Sequence, residues 1–308
     1  MRVFVTGATG FVGSAVIQEL LAHEHTVLGL SRNEENSKAL VAAGAEAHPG
    51  SLDDLESLRS GANSCDGTIH CGFKHDFANF QASCITDRLA IQAIGDVYSG
   101  TNKPFIVTSG TMGLSSSDVA ILATEDDAGV PEGMLGMRKA SETLAIALAE
   151  RGVRSMVLRL SPTVHGPGDK GFIASLITIA RKNGFSAYIG EGASRWPAVY
   201  RPDAARLYRL ALEKGKAGVC YHGTGDQGVP TKEIAEAIGK GLDLPVVRKT
   251  PEEAGAVFGF LGFVLARDNP TSSEKTKKEL GWVPKGPGLI ADLAEDHYFD
   301  ESAKGDYV

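Results

Sequence analysis

The stretch VFVTGATGFVGSAV at residues 3–16 constrains the fold of this chain more than any other. An apolar run, a glycine turn and an apolar segment of helical length follow without a gap, as one strand–turn–helix unit. Gly7 permits the tight turn and Gly10 lets the backbone approach a pyrophosphate. Gly13 lets the helix pack closely on the strand, and the helix N-terminus offers unpaired N–H groups to an anion.

The rest of the first half repeats the rhythm, with short apolar runs alternating with longer amphipathic segments, the pattern of βαβ units around a parallel sheet. Strands are predicted at Val3–Thr6, Thr26–Leu30, Ala45–His48, Thr68–Cys71, Phe105–Thr108 and Ser155–Leu160, and helices at Phe11–Ala22, Ser37–Ala43, Leu52–Ser60, Phe77–Tyr98 and Pro131–Arg151. The fold class expected is α/β, a doubly wound parallel sheet. After Gly166 the rhythm loosens among Gly and Pro breaks. We therefore expect a nucleotide-binding domain over 1–160, joined by 195–225, and a smaller interleaved substrate domain over 161–194 and 226–308. The acidic stretch 292–308 reads as a surface helix with a frayed end.

A formal charge of −7 gives no basic footprint for a phosphate backbone, so nucleic acid is not an expected partner. The cysteines Cys65, Cys71, Cys84 and Cys220 form no CxxC pair, which fits a reducing compartment. The N-terminus runs straight into a strand, without signal-peptide features, and no apolar run approaches the length of a membrane span. A cytoplasmic protein without a membrane partner is expected. His70, His75 and Asp76 lack the spacing of a metal site, and no metal is expected.

GxxGxxG preceded by Thr6 resembles the short-chain dehydrogenase/reductase superfamily, especially its extended and atypical branches of NAD-dependent epimerase/dehydratase type. The resemblance runs along the chain. GSLDDLESL at 50–58 is similar to the segment after the family's third strand, GTIHCGF at 67–73 to the fourth strand and its cofactor-facing turn, and FIVTSGTMG at 105–113 to the fifth. LRLSPTVHGPG at 158–168 is similar to the turn beside the nicotinamide, RWPAVYRPDAARL at 195–207 to the segment linking the two domains, and KKELGWVPK at 277–285 to the closing signature. The resemblance implies a Rossmann fold and a cofactor site made of Gly7, Thr9, Gly10, Phe11, Val12, Gly13, Leu52, Cys71, Gly72, Phe73, Thr108, Pro162, Thr163 and Val164. A homodimer is usual for the family. Where members commonly carry an acidic residue against the adenine, this chain has Ser51.

At the end of the second strand a carboxylate would bind a ribose 2′-hydroxyl, whereas an arginine accommodates a 2′-phosphate. Ser31 and Arg32 occupy that position, which predicts NADP(H) rather than NAD.

The family's Tyr-x-x-x-Lys pair sits on the fifth helix, where the lysine lowers the phenol's pKa from about 10 so that it can exchange a proton. Here GMLGMRKASE occupies 133–142. Counting back from Glu142 aligns Met134 with the tyrosine and Arg138 with the lysine, and taking Lys139 instead aligns Leu135. Neither frame contains a phenol. Arg138 is favoured because it keeps the downstream spacing and can hydrogen-bond a ribose, although it does not release its proton.

Candidates to replace the lost acid are the hydroxyls of Ser109 and Thr111 just past the fifth strand, Tyr200 and His165. Trp196, Phe73 and Phe172 are candidates to line an apolar pocket. The reading is an NADPH-dependent oxidoreductase reducing a carbonyl or related group of a small molecule with a non-standard proton donor. Two alternatives stand beside it. One is a non-catalytic NADP(H)-sensing protein, motivated by the lost tyrosine. The other is an epimerase or dehydratase with tightly bound cofactor, for which Arg195 would grip a sugar-nucleotide phosphate.

Overall fold

A computed structural model of the chain describes residues 1–76, 78–114, 122–129, 133–300 and 305–307, with the side chains of Met134 and Leu135 outside that description. Its first half alternates strand and helix: β1 (Arg2–Thr6), α1 (Phe11–Ala22), β2 (Thr26–Ser31), α2 (Glu34–Ala42), β3 (Glu46–Pro49), α3 (Leu55–Asn63), β4 (Gly67–His70), α4 (Phe80–Tyr98), β5 (Pro104–Gly110), α5 (Gly133–Ala147) and β6 (Arg154–Leu160). Strands β1, β4, β5 and β6 are buried almost end to end, the pattern of strands covered on both faces.

Beyond β6 come β7 (Thr163–His165), α6 (Phe172–Asn183), β8 (Ser186–Ile189), β9 (Arg195–Tyr200), α7 (Arg201–Lys214), β10 (Cys220–Gly223), β11 (Asp226–Pro230), α8 (Thr231–Leu242) and β12 (Val246–Lys249). Helices α9 (Pro251–Phe258), α10 (Phe260–Leu265), α11 (Glu274–Leu280) and α12 (Leu289–Asp292) complete the described elements. The main sheet has seven strands in the order β10-β6-β5-β4-β1-β2-β3, and every pairing in it is parallel. The order reverses between β1 and β4, and the crevice beyond the carboxyl ends of these strands is where such sheets bind ligands.

One apolar cluster, including Val5, Val16 and Leu207, lies on one side of the sheet, and another, including Phe4, Ile91 and Leu148, on the other. A third, around Trp196, Ile177 and Leu261, belongs to the small sheets β11-β9-β7 and β12-β8 and the helices beside them. The two regions interleave: α7 carries Leu207 and Tyr208 into the main-sheet core, while β9 just before it pairs with β7 and β11.

Helix starts are set by caps rather than by apolar periodicity. Helix α2 begins at Glu34 rather than Ser37 because the Asn33 side chain accepts a hydrogen bond from the Asn36 N–H. Helix α3 begins at Leu55 rather than Leu52 because Asp54 does the same for Ser57. The predicted starts Phe77 and Pro131 lie outside the described residues, and α5 gives way to a 3₁₀ turn at Leu148–Arg151. Strand β4 ends at His70, so Cys71 belongs to the turn. Residues 292–308 contain no long surface helix among those described. Leu293 and Tyr298 are buried, and Gly305–Tyr307 is anchored to α6, where the Gly305 N–H donates to Thr178 Oγ1 (3.2 Å) and the Tyr307 N–H to Ser175 Oγ (3.2 Å).

Asp203 on α7 fastens the segment GWVPKG to the main domain. Its carboxylate accepts the N–H groups of Lys285 (3.0 and 2.9 Å) and Gly286 (2.8 Å), while its carbonyl accepts from the indole of the buried Trp282 (2.9 Å). Asp203→Ala would remove the acceptor of the Lys285 and Gly286 N–H groups while keeping the backbone carbonyl that takes the Trp282 indole. We expect it to cost about 2 kcal/mol, read as a lower urea midpoint; an unchanged midpoint would contradict this role.

Candidate active site

The glycine turn leaves no room for a side chain. Gly7 adopts φ +63°, and a Cβ there would lie 2.7 Å from the Gly72 nitrogen; one on Gly13 would lie 2.1 Å from the Gly7 carbonyl oxygen. The Gly10 N–H donates to Gly7 O (2.9 Å), closing the turn. Gly10 caps α1 without a side-chain hydrogen bond, so the first N–H groups of the helix remain available to an anion. Thr9 and Gly10 are exposed, with Phe11 and Val12 half-buried beside them. Arg201 arches over this end: its guanidinium lies 4.6 Å from the Phe11 ring centroid and donates to Ser14 Oγ (2.8 Å). Leu52 packs beside Gly72, 3.2 Å from where a Cβ would stand.

Beyond the end of β2 opens a cavity of about 530 Å³, lined by Ser31, Arg32, Asn33, Glu34, Ser37, Pro49, Gly50, Ser51 and Asp54. Ser31 is buried and its hydroxyl donates to Asn33 O (2.9 Å), whereas Arg32 is exposed. Arg32 is the one cation among the lining residues, facing the carboxylates of Glu34 and Asp54.

From the glycine turn a buried polar chain runs to α5. The Gly72 N–H donates to Thr6 Oγ1 (3.1 Å), which lies 2.7 Å from His70 Nδ1; His70 Nε2 lies 3.2 Å from Asp87 Oδ1, and Asp87 Oδ2 pairs with Arg138 at 3.0 Å. Asp87 can only accept, so in the neutral ring Nε2 carries the proton and Nδ1 takes the Thr6 hydroxyl proton. Burial acts to raise the Asp87 pKa, but the Arg138 charge and then the His70 hydrogen bond outweigh it and hold the carboxyl below its ordinary range. Arg138 also donates to the Thr108 carbonyl (2.8 Å) and stacks over the Phe73 ring, 4.0 Å from its centroid. Its side chain is 20% exposed.

The other candidates are dispersed. Ser109 is buried and hydrogen-bonds the Glu142 carboxylate. Despite burial, Glu142 is held below its ordinary pKa by Arg159, whose guanidinium pairs with it at 2.9 Å. Thr111 is fully buried against Asn269, whose amide donates to its carbonyl (3.1 Å). Thr108 Oγ1 meets the Tyr208 hydroxyl at 2.7 Å, and burial beside them pushes the Cys71 thiol up to about 11, so it is not a nucleophile at neutral pH. Pro162, Thr163 and Val164 follow the carboxyl end of β6, Thr163 buried and the other two half-buried.

His165 is buried and its Nδ1 meets Asp292 at 2.8 Å. The Tyr200 ring lies 5.6 Å from it and close under Gly286. Among the described residues no hydrogen bond joins Tyr200 or His165 to Arg138, Ser109 or Thr111. Lys139 lies 3.5 Å from Glu142. Arg195 is locked by Asp268, which takes its Nε at 3.0 Å and its terminal nitrogen at 2.6 Å. Among the described residues no group of three His, Cys, Asp or Glu is placed to hold a metal ion.

His70 and Asp87 were not among the sequence candidates. The signal was present in α4: Asp87 falls on the buried stripe Cys84, Ala90, Ile91 and Ile94, where an acid at helical spacing needs a buried partner.

The parallel sheet, the cramped glycine turn and the uncapped helix beside the switch point define a protein of the Rossmann class, the architecture of dinucleotide-binding domains. The chain belongs to the NAD dependent epimerase/dehydratase family, whose model matches residues 3–222. It is similar to the uncharacterized protein C2A9.02 of Schizosaccharomyces pombe, 49% identical over 299 residues that cover 97% of this chain and 100% of that one. Protein YLL056C of Saccharomyces cerevisiae, also uncharacterized, is 44% identical over 96% of this chain and 99% of its own. The dTDP-glucose 4,6-dehydratase DesIV of Streptomyces venezuelae, solved with NAD and TYD bound, shares the fold with a TM-score of 0.77 at 21% identity, over 98% of both chains.

Two outcomes test this geometry. Arg138→Ala should weaken NADPH binding about tenfold through lost charge-assisted contacts, while Lys139→Ala stays within about twofold; calorimetric titration giving equal losses would overturn the assignment of Arg138. The second concerns the cluster beside His165. Burial raises the Asp169 pKa to about 6, against the Gly171 N–H and the Tyr298 hydroxyl, which both donate to it. A carboxyl with a raised folded-state pKa binds its proton more tightly folded than unfolded, so its stabilising contribution is lost as pH rises from about 4 to 6. Asp169→Asn should therefore gain on wild type across that window by up to about 3 kcal/mol, measured by denaturant titration at several pH values; a constant difference would contradict it.

Proposed function

We propose that this protein is an NADPH-dependent oxidoreductase that reduces a carbonyl or related group of a small molecule, without a phenol on α5 as proton donor. The observation that carries the reading is Arg138, held by Asp87 at the carboxyl edge of β5 where the family places the lysine that grips the nicotinamide ribose. The residues present fit the cofactor. The Gly7, Gly10 and Gly13 turn would take the pyrophosphate, Leu52 would flank the adenine, and the cavity beside Ser31 and Arg32 would take a 2′-phosphate.

NADPH, when bound, would supply a hydride for the carbonyl carbon, and the carbonyl oxygen would take up a proton. Arg138 does not give up a proton at neutral pH; its charge orients the ribose and stabilises the negative charge growing on the substrate oxygen. With no phenol on α5 the proton would come from water. Ser109 holds Glu142 and Thr111 fastens the loop after β5 to Asn269, so both hydroxyl residues are already engaged in the structure. A sugar-nucleotide reading draws no support from Arg195, whose guanidinium Asp268 already holds on two nitrogens.

No helix among the described residues is long and apolar enough to cross a membrane, which together with the four free cysteines supports a cytoplasmic setting. Ile85 and Leu89, exposed one turn apart on α4, support a homodimer through that face.

The test is NADPH oxidation over a panel of carbonyl compounds, repeated with NADH. We expect turnover with NADPH, and an NADPH-to-NADH ratio of kcat/KM that falls about tenfold in Arg32→Ala. No turnover on the panel would contradict the reductase reading, and an unchanged ratio the NADP preference.

A further inference from the structure

The segment Gly305–Tyr307 lies on α6 and reaches toward the loop after β4. Besides the two anchors on α6, the Asp306 N–H donates to the Lys170 carbonyl (2.8 Å). Gly305 presses so closely on the first turn of α6 that a Cβ would lie 2.2 Å from the Ser175 nitrogen. These contacts fix where the next side chain goes. The Tyr307 ring lies 5.3 Å from Phe172, on the substrate side, and 6.3 Å from His75, in the loop after β4. His75 in turn packs edge-on against Phe73 (5.3 Å), and Phe73 carries the Arg138 guanidinium on its face. An aromatic wall thus runs from Arg138 across the mouth of the crevice to Phe172.

We propose that Tyr307 is a substrate-contacting residue that, with Phe73, His75 and Phe172, selects flat, uncharged aromatic or conjugated carbonyl compounds. The proposal rests on the reductase reading and adds the substrate class to it. Ring pairs of this kind favour offset or edge-on contact with a further ring, so a planar substrate fits along the wall with its carbonyl toward Arg138. In the smaller part the Arg195 guanidinium is paired with Asp268 at 2.6 Å, which supports an uncharged substrate over a phosphate. Burial first, then Asp306 and Asp169, push the Tyr307 phenol up to about 12. It therefore stays protonated and meets the substrate with its face and an O–H donor. His75 sits at the lip of the crevice, where partial burial and then the Arg138 charge lower its imidazole pKa, so it adds an aromatic edge rather than a cation.

The experiment is calorimetric binding of 2-acetonaphthone and, separately, UDP-glucose to the NADP-loaded protein, with turnover of the ketone measured in parallel. We expect saturable binding of the ketone and none of UDP-glucose. Tyr307→Ala should weaken the ketone about fivefold while Tyr307→Phe stays within about twofold. Gly305→Val, which displaces the segment without altering the ring, should reproduce the loss seen in Tyr307→Ala. Equal ketone affinity in wild type and Tyr307→Ala would overturn the proposal, as would tighter binding of UDP-glucose or no saturable ketone binding by wild type. NADP affinity unchanged in each variant marks the fold as intact. Binding without turnover would sink the reductase reading and leave the wall standing; turnover with Tyr307→Ala unchanged would do the reverse.

Discussion

A single buried carboxylate organises the crevice of this protein. Asp87 lies in the middle of α4 with 1% of its surface exposed, and it is kept ionised there by Arg138 on one oxygen and His70 on the other. An unpaired charge at such depth would be costly enough to neutralise itself. The carboxylate thus demands its partners, and their positions follow: His70 is aimed at Thr6, Thr6 receives the Gly72 N–H, and Arg138 is drawn to the end of β5. The glycine turn and the cation proposed to serve the nicotinamide ribose are joined through one polar chain. An arginine suits this better than a lysine, since its planar fork reaches Asp87 and the Thr108 carbonyl together while stacking on Phe73.

The acids that hold the second region act differently. Asp203 fastens the Trp282 segment to α7, and Asp268 immobilises Arg195. Both are connecting bonds, one between the two parts of the chain and one within the smaller part. The latter withdraws the cation that a sugar diphosphate would need. On this side Phe172 packs on the buried Trp196 at 5.9 Å.

The local βα unit was legible because glycine spacing and apolar periodicity encode it within one window of sequence: β1 and α1 stand where VFVTGATGFVGSAV predicts them. The frame counted back from Glu142 singles out Arg138, and the structure brings that side chain to the end of β5, where it donates to the Thr108 carbonyl. Helix starts at Asn33 and Asp54 were hidden because a cap depends on one side-chain hydrogen bond rather than on periodicity. The His70–Asp87 pairing was hidden for a different reason. It joins residues 17 apart on a strand and a helix, and only the sheet topology brings them together. Likewise nothing in the polar tail announces that Tyr307 returns to the crevice, because that depends on Gly305 meeting the first turn of α6.

The central claim is that Arg138 serves the cofactor through its anchor on Asp87. A double-mutant cycle on NADPH affinity, with Asp87→Ala and Arg138→Ala singly and together, measures this directly by calorimetry. The account predicts non-additive losses, with a coupling of about 1 kcal/mol or more. Losses that add to within about 0.3–0.5 kcal/mol would mean that the two residues act independently and would contradict it.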